Sequence, residues 1–460
     1  MSFPAYPSYR DSEVEWLGVL PSDWTVKPLK RLCDVRPSNV DKKTYEGDQL
    51  VHLCNYMDVY RNEVIPEQLP FMEASATYEQ ITRFSLRAGD VIITKDSETA
   101  DDIAISAYVP ADLPEVLCGY HLALLRPKAG VSGAFIKRVF DGALTKSQVA
   151  VRANGLTRVG LGQYALNNLD VPTPTLSEQT AIAAFLDRET ATIDALVEEQ
   201  RRLIALLKEK RQAVISHAVT KGLDPTAPMK DSGIPWLGEV PAHWEVRTVN
   251  SVSSKITNGY VGPTRDILRE DGVRYLQSLH IKNGEIRFNS PYFVDEDWSN
   301  DHAKSVLNAG DLLMVQTGDL GQTAVVPDEF AGCNCHALII VTPIRRVVSG
   351  DWLGCVFRTE YGKNVLLSIQ TGALHPHLNC GNVKFVFVPV PPVPEQFAIS
   401  AFVGQRSEKA DALLRTAEEA ITLLLERRVA LISAAVTGKI DVRSLAPETF
   451  DTLPRSAEAA

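Results

Sequence analysis

The sequence lacks the features that would place a protein in or across a membrane. No apolar run approaches the roughly 20 residues that a membrane-spanning helix requires. The N-terminal stretch MSFPAYPSYRDSE has neither the basic start nor the apolar segment of a secretory signal. We therefore expect a cytoplasmic protein without a membrane partner.

The sequence also lacks a disulfide framework and an excess of positive charge. Its seven cysteines are odd in number and scattered, which is typical of reduced thiols in the cytosol. The net charge of −10 argues against nonspecific binding of nucleic acid, although a local basic surface remains compatible with it. The 460 residues are too many for one hydrophobic core and predict about two to four domains.

No constellation of reactive residues identifies an enzyme. The segment TGKI (437–440) lacks both the upstream glycine and the hydroxyl of a phosphate-binding loop. GLGQYA (160–165) fits a dinucleotide-binding pattern, but the related segment HLNCGN (377–382) does not. An enzyme in its own right is therefore disfavoured.

A zinc site is the alternative to core packing for one group of residues. The group consists of Cys333, Cys335, His336, His375 and His377. The related strand around Cys118 and His121 has no second cysteine, and a C-x-C-H run on an apolar strand is more often core. We favour core packing and expect no metal.

What the sequence does contain is an internal repeat. DSEVEWLGVLPSDWTV (11–26) returns as DSGIPWLGEVPAHWEV (231–246), with the tryptophans 220 positions apart. Further matches follow in the same order: LRAGDVIIT (86–94) with LNAGDLLMV (307–315), CGYHLALLRP (118–127) with CNCHALIIVTP (333–343), VPTPTLSEQTAIAAFL (171–186) with VPVPPVPEQFAISAFV (388–403), and ISHAVTKG (215–222) with ISAAVTGK (432–439). One two-part unit has been duplicated in tandem, which predicts a pseudo-twofold object.

The two parts of each unit differ in kind. The first part contains short apolar runs bounded by turn residues, such as DVIIT and LLMVQ, and these predict buried strands in a mixed α+β domain. The second part is helical, because no Gly or Pro occurs from Glu178 to Thr220. Mostly apolar residues recur in steps of four and three, with polar interruptions at matching places, Glu189 with Arg406 and Lys210 with Arg427. This spacing predicts a coiled-coil seam at 182, 186, 189, 193, 196, 200, 203, 207, 210 and 214, and at 399, 403, 406, 410, 413, 417, 420, 424, 427 and 431. Each long helix is expected to pair with the other; packing on its own domain alone is the alternative.

Two families of loops recur where a ligand could bind. One follows the repeated AGD strand and comprises TKDSETADD (94–102) and QTGDLGQT (316–323). The other precedes the repeated VP strand and comprises RANGLTRVGLGQ (152–163) and QTGALHPHLNCGN (370–382). Their hydroxyls, amides and basic groups suit phosphates and base edges, and ordinary solvated turns are the alternative.

The repeated ends of the two halves resemble a known family. Each half opens with D-S-x-x-x-W-L-G-x-x-P-x-x-W and ends in E-Q-x-x-I-x-x-F, followed by a long helix that closes with AVT. Together with the tail AAVTGKIDVR (434–443), these motifs resemble the specificity subunits of type I restriction–modification systems. The resemblance spans about residues 11–443.

The resemblance implies an α+β fold with two similar target-recognition domains, each recognising half of a split, non-palindromic DNA site. Two long antiparallel coiled-coil helices would hold the domains apart. The repeated opening phrase would serve as a scaffold strand or docking edge and would not contact bases. The expected boundaries are 1–175 and 226–393 for the domains, 176–225 and 394–440 for the spacer helices, and 441–460 for a C-terminal tail.

The resemblance also implies which partners and cofactors to expect. The chain would be non-catalytic, would bind double-stranded DNA and would bind no cofactor itself. It would recruit two copies of an adenine methyltransferase subunit, which bind S-adenosylmethionine, and in some systems restriction subunits that use ATP and magnesium. A coiled-coil scaffold that binds only proteins is the alternative function.

We predict DNA contacts at residues of the recurring loops. In the first domain they are Lys95, Arg152, Thr157 and Arg158, and in the second domain they are Gln316, Thr317, His375 and His377. Arginine pairs bidentately with guanine and glutamine with adenine, whereas lysine and threonine more often hold phosphate. Two features depart from this pattern: TKDSETADD carries several acids, and the whole chain is acidic.

Overall fold

The computed structural model describes residues 3–372 and 374–445, and the chain divides into two compact units. The first unit contains residues up to 200 together with those from 419 onward, and the second contains residues 201–418. Both divisions fall inside long helices, Leu176–Lys221 and Val393–Val436. Each unit therefore combines one globular region with part of each long helix.

The globular region of the first unit contains two four-stranded sheets. The first sheet is antiparallel, with the strand order Cys33–Pro37, Leu122–Pro127, Val91–Thr94, Ser106–Tyr108. The second sheet has the order Met72–Ala76, Gln49–Cys54, Leu113–Cys118, Ser85–Leu86, and its central pair is parallel.

The second unit repeats this arrangement. Its antiparallel sheet has the order Ser253–Asn258, Leu338–Pro343, Leu312–Val315, Thr323–Val325. Its other sheet has the order Leu268–Arg269, Phe293–Val294, Val273–Leu276, Asn334–Cys335, and again contains one parallel pair. The predicted α+β class and internal repeat are confirmed.

Short ribbons and helices complete both units. The ribbons pair Tyr9–Asp11 with Val19–Pro21, Thr25–Pro28 with Asp170–Thr173, Asp96–Ser97 with Val159–Gly160, Met229–Asp231 with Glu239–Pro241, Glu245–Thr248 with Phe387–Val390, and Ile281–Lys282 with Glu285–Ile286. The shorter α-helices are Leu29–Leu32, Tyr56–Arg61, Tyr78–Phe84, Gly133–Asp141, Ala143–Arg152, Gln163–Asn167, Val249–Val252, Glu296–Asp301, Gly350–Arg358, Glu360–Ser368 and Cys380–Val383.

The antiparallel sheet of each unit is buried on both faces. In the first unit, Val91 and Ile93 face the core that contains the helices, whereas Ile92 faces the core under the other sheet. The strand Leu312–Val315 divides its side chains in the same way in the second unit. Burial on both faces explains why these strands are apolar throughout instead of alternating with polar residues.

The two long helices run antiparallel within the first unit. Trp24 Nε1 donates to Glu178 Oε1 (3.3 Å) near the start of the first helix. The same indole ring lies beside Gly438, just after the end of the second helix. Further along, Arg428 Nε pairs with Asp194 Oδ1 (2.9 Å). The residue number therefore rises along one helix where it falls along the other.

The second unit shows the same antiparallel arrangement by itself. The ring of Trp244 and the carboxyl group of Glu395 both lie beside Gly222, so the end of the first helix meets the start of the second. Arg211 Nη1 pairs with Asp411 Oδ1 at 2.6 Å. Like Trp24, Trp244 is fully buried, so this part of the repeated phrase packs in the core of each unit.

The predicted seam of the long helices is wrong at alternate positions. Leu196 is 40% exposed and Leu413 is 47% exposed, whereas their neighbours Val197 and Leu414 are only 4% and 8% exposed. Both stripes alternate in steps of three and four, so the spacing alone leaves open which one is buried. The globular region and the partner helix, which pack on the helix together, select the second stripe.

The repeated glutamine of E-Q-x-x-I-x-x-F anchors each globular region to a long helix. Gln179 Oε1 accepts from the backbone N–H of Ser132, and Gln396 Oε1 accepts from that of Ser349, both at 2.9 Å. Each serine caps the N-terminus of a buried helix in its globular region. Both glutamines are buried, and the Nε2 of each also donates to backbone carbonyls, one for Gln179 and two for Gln396.

An ionic network around two buried cations adds a second anchor in the first unit. Lys137 Nζ pairs with Glu63 Oε2 at 2.7 Å, and Arg138 Nη2 pairs with Asp187 Oδ1 of the first long helix at 2.7 Å. Arg428 of the second long helix also pairs with Glu63. Burial would raise the pKa of Glu63, but the nearby cations, Lys137 foremost, outweigh it and lower this pKa to about 2.

No helix among residues 3–372 and 374–445 is long and apolar enough to cross a membrane.

Candidate nucleic-acid interface

The two loop families that the sequence singles out lie side by side in both units. In the first unit, Asp96–Ser97 pairs antiparallel with Val159–Gly160. In the second unit, Thr317 forms a bridge with His377. The loop after the AGD strand and the loop before the VP strand therefore form one surface in each unit, which is a tertiary contact between segments about 60 residues apart.

Each VP-side loop is a hairpin closed by reciprocal backbone hydrogen bonds. Asn154 and Gly160 exchange both bonds, at 3.1 and 2.9 Å. Thr371 and His377 do the same at 2.9 and 2.8 Å, 217 positions later in the chain. The two hairpins are therefore equivalent, and they present different side chains on the same backbone frame.

The predicted residues of the first unit occupy two different settings. Thr157 and Arg158 lie at the exposed tip of the hairpin. Lys95 lies at its base, where its ammonium group pairs with Asp96 (3.1 Å) and lies over the ring of Tyr120 (4.9 Å from its centroid). Arg152 ends the helix Ala143–Arg152 and donates to Gln148 Oε1 (3.1 Å), which directs its guanidinium back toward its own helix.

The predicted residues of the second unit also divide between tip and base. His375 is exposed at the tip, and Thr317 is exposed beside the hairpin. The ring of His377 is half-buried and is held by Thr371 Oγ1 (3.2 Å) and by the His375 carbonyl (3.2 Å). Gln316 Oε1 is buried and has no hydrogen-bond partner in the part of the chain that the structure describes.

Three residues at the first-unit surface were missed by the sequence analysis. Asp96 Oδ2 lies 2.8 Å from His121 Nδ1 while it also pairs with Lys95. Tyr120 is 51% exposed and stands beside His121 in an edge-to-face contact (4.9 Å). The Tyr-His pair comes one residue after the strand that ends at Cys118, within the repeated segment CGYHLALLRP, and that position was the available signal.

The second unit contains a cluster of aromatic rings. The ring of Tyr260 contacts Trp298 (5.0 Å) and His302 (5.1 Å), and these two rings stack on each other at 4.0 Å. The cluster follows the strand Ser253–Asn258, whose Asn258 accepts from Cys380 Sγ just after the hairpin. Half-buried aromatic rings of this kind provide stacking surfaces for bases.

The residues considered for zinc are not gathered at one point. Cys333 and Cys335 are buried, and burial raises the pKa of both thiols, which opposes the thiolate form that zinc requires. Within the described ranges, no group of three or more His, Cys, Asp or Glu side chains is arranged to hold a metal ion.

Comparison with protein families gives a match over the first unit. Residues 21–204 match the model described as type I restriction modification DNA specificity domain. The matched range covers the first globular region from the second part of the repeated phrase and extends into the first long helix.

Two curated relatives are similar over nearly the whole chain. The putative type I restriction enzyme MjaX specificity subunit of Methanocaldococcus jannaschii is 24% identical over 436 residues, covering 93% of this chain and 96% of the relative. The type I restriction enzyme EcoKI specificity subunit of Escherichia coli K12 is 22% identical over 451 residues, covering 92% of this chain and 90% of the relative.

Two solved structures share the fold. The HsdS subunit from Thermoanaerobacter tengcongensis is 18% identical with a TM-score of 0.56, and covers 92% of this chain and 98% of its own. A chain from a study of complex assembly and conformational transition of the type I R-M system is 18% identical with a TM-score of 0.65, and covers 91% of this chain and 98% of its own. At this identity the likeness shows the fold.

Proposed function

Because this chain belongs to the specificity subunits of type I restriction–modification systems, we propose that it recognises a bipartite, non-palindromic DNA site. Each globular region recognises one half of that site. The chain is non-catalytic, and it positions adenine methyltransferase and restriction subunits on the DNA.

One observation carries the proposal. Both units build the same hairpin beside the same loop, yet the side chains on this common frame differ. The first unit presents Thr157 and Arg158 at the tip of its hairpin, and the second presents His375, with Thr317 exposed in the adjoining loop. A duplicated frame with different side chains suits two half-sites of different sequence, because hydrogen-bonding groups specify bases while the frame sets their position.

The charge of the chain favours partners that share the DNA. A net charge of −10 gives little long-range attraction for phosphates, so two methyltransferase subunits would supply much of the electrostatic affinity. S-adenosylmethionine would bind to those subunits, and ATP and magnesium to the restriction subunits. This chain would bind none of these cofactors.

The proposal is tested with the chain assembled on its methyltransferase subunit. Genome-wide mapping of methylated adenines should give one split, asymmetric motif, and a DNA fragment with that motif should shift in a gel at a competitor concentration that abolishes other shifts. Co-purification of the proteins without any sequence-specific shift would instead support a scaffold that binds only proteins. Methyl transfer by the isolated chain would contradict the non-catalytic role.

Domain exchange tests the assignment of one half-site to each region. Replacing residues 11–175 by the corresponding segment of a related subunit should replace one half of the methylated motif and leave the other half unchanged. The reciprocal exchange of residues 232–393 is the matched control and should replace the other half. A hybrid in which both halves change would contradict the proposal.

A further inference from the structure

The tips of the two hairpins share a tight turn that depends on glycine. A Cβ on Gly155 would lie 1.9 Å from the carbonyl oxygen of Arg158, and one on Gly372 would lie 2.5 Å from that of His375. Both glycines have positive φ, +148° and +94°. In each hairpin a carbonyl three residues later therefore closes over the glycine, and any side chain at that glycine would open the turn.

A leucine projects from each of these turns. Leu156 is 105% exposed and Leu374 is 90% exposed, so neither side chain packs against the protein. A single exposed leucine is ordinary on a protein surface. Here, however, each of two equivalent hairpins carries one in its turn, at the first position after the glycine in one hairpin and at the second position in the other.

The composition around these leucines favours DNA as the partner. Segments 152–163 and 370–382 contain no Asp or Glu, although the whole chain has 57 of them in 460 residues. Arg158 follows Leu156 by two positions, and His375 directly follows Leu374. Within each hairpin the apolar tip is thus flanked by cationic or neutral groups, which is compatible with a polyanion. The acids of this surface lie in the neighbouring loop, where Asp96 is paired with Lys95.

We propose that Leu156 and Leu374 insert between adjacent base pairs, one in each half-site, and locally unstack the DNA. The proposal rests on the proposed function, since it requires that each hairpin faces its half-site. Apolar wedges of this kind unstack a base step and kink the duplex, and the cost of the deformation depends on the sequence of the step. Each hairpin would thereby add shape-dependent specificity to the contacts of its polar neighbours.

The experiment uses the chain assembled on its methyltransferase subunit and bound to its own site. 2-Aminopurine replaces one base at a time in both half-sites, excluding the adenines that are methylated, because their extrusion would give its own signal. Unstacking raises the fluorescence of this base. The wild type should give one bright step in each half-site.

Four variants identify the source of the signal. Leu156→Ala should remove the bright step from one half-site, and Leu374→Ala should remove it from the other. Leu156→Phe should keep the signal, because a bulky apolar side chain remains at the tip. Leu50→Ala, which removes a leucine 79% exposed on the strand Gln49–Cys54, is the matched control and should leave both steps bright.

The outcomes separate this proposal from the proposed function. If the wild type gives no sequence-specific gel shift, the proposed function fails and the wedge fails with it. If the specific shift is present but no step is bright, or both steps stay bright in both alanine variants, only the wedge is overturned. Loss of methyltransferase binding in Leu156→Ala or Leu374→Ala, with unstacking unchanged, would identify the tips as protein contacts and would also overturn it.

Discussion

Gln396→Leu is predicted to destabilise the second unit through lost hydrogen bonds, although leucine nearly preserves the side-chain volume. Gln396 is fully buried. Its Oε1 accepts from Ser349 N (2.9 Å), and its Nε2 donates to the carbonyls of Val347 (2.9 Å) and Pro391 (2.8 Å). The substitution removes the partner of all three backbone groups at once.

The expected loss follows from that count of backbone groups. Each buried group left without a partner costs about 1–3 kcal/mol, and the extra apolar burial of leucine offsets part of the sum. We therefore expect a loss of about 3–5 kcal/mol, a large share of the roughly 5–15 kcal/mol that stabilises a typical domain. Gln179→Leu removes two hydrogen bonds instead of three and should cost about 2–3 kcal/mol in the first unit.

Urea denaturation and hydrogen exchange measure the effect. Trp352, one of six tryptophans, is buried in the helix that Ser349 caps, so it contributes to the fluorescence change when this part of the second unit unfolds. The amide of Ser349 should exchange faster in Gln396→Leu, while that of Ser132 should not change. The control is Gln405→Leu, at an exposed position of the long helix Val393–Val436 that also carries Gln396. Its unfolding free energy should stay within about 0.5 kcal/mol of the wild type. A loss for Gln396→Leu no larger than that of the control would refute the anchoring role.

Three further predictions concern DNA contact, pH and spacing. Arg158→Ala should leave the unfolding free energy within about 0.5 kcal/mol of the wild type, because the exposed Arg158 side chain makes no hydrogen bond or ion pair in the described ranges. It should cost about 1–3 kcal/mol of specific DNA affinity in competition gel shifts. Unchanged affinity and methylation in alanine variants of all eight predicted residues would contradict the site. The Glu63 carboxylate, with its pKa lowered to about 2, stabilises the fold above its unfolded pKa of about 4.3, and this contribution is lost as the pH falls toward 2. The wild type should therefore lose more unfolding free energy than Glu63→Gln when urea denaturation at pH 7 is compared with that at pH 2.5. The expected difference is about 1–2 kcal/mol, a figure reduced for the partial exposure of the carboxylate. An equal loss in both proteins would refute this. Inserting seven residues after Gln200 should lengthen the first long helix by about 10 Å and widen the unrecognised gap in the methylated motif by up to about 3 bp, and an active variant with an unchanged gap would show that the helices do not set the spacing.

Features that depend on local spacing could be predicted from the sequence. The internal repeat, the α+β class, the two long helices and the family resemblance all rest on patterns within short windows or on their recurrence. The recurring loops were also found in this way. Backbone periodicity and turn residues act between neighbours in the chain, so their signal survives without the fold.

The fold decides which distant groups meet, and the sequence alone could not. The repeat carries an aspartate after each AG pair, yet Asp90 pairs with Arg126 (2.7 Å), whereas Asp311 Oδ1 is buried without a hydrogen-bond partner among the described residues. Lys95 is a second example of a partner that only the fold determines. It was predicted to contact DNA, and the structure also pairs its ammonium group with Asp96.

The exposed tips show the same division. Sequence analysis placed Arg158 and His375 in loops that could face DNA. It gave no weight to Leu156 and Leu374, which lie in the same two loops. Their near-complete exposure appears only when the hairpin closes and the turn at each glycine projects the leucine away from the protein. Exposure is a property of everything that packs around a side chain, and for these leucines only the tertiary structure determines that nothing does.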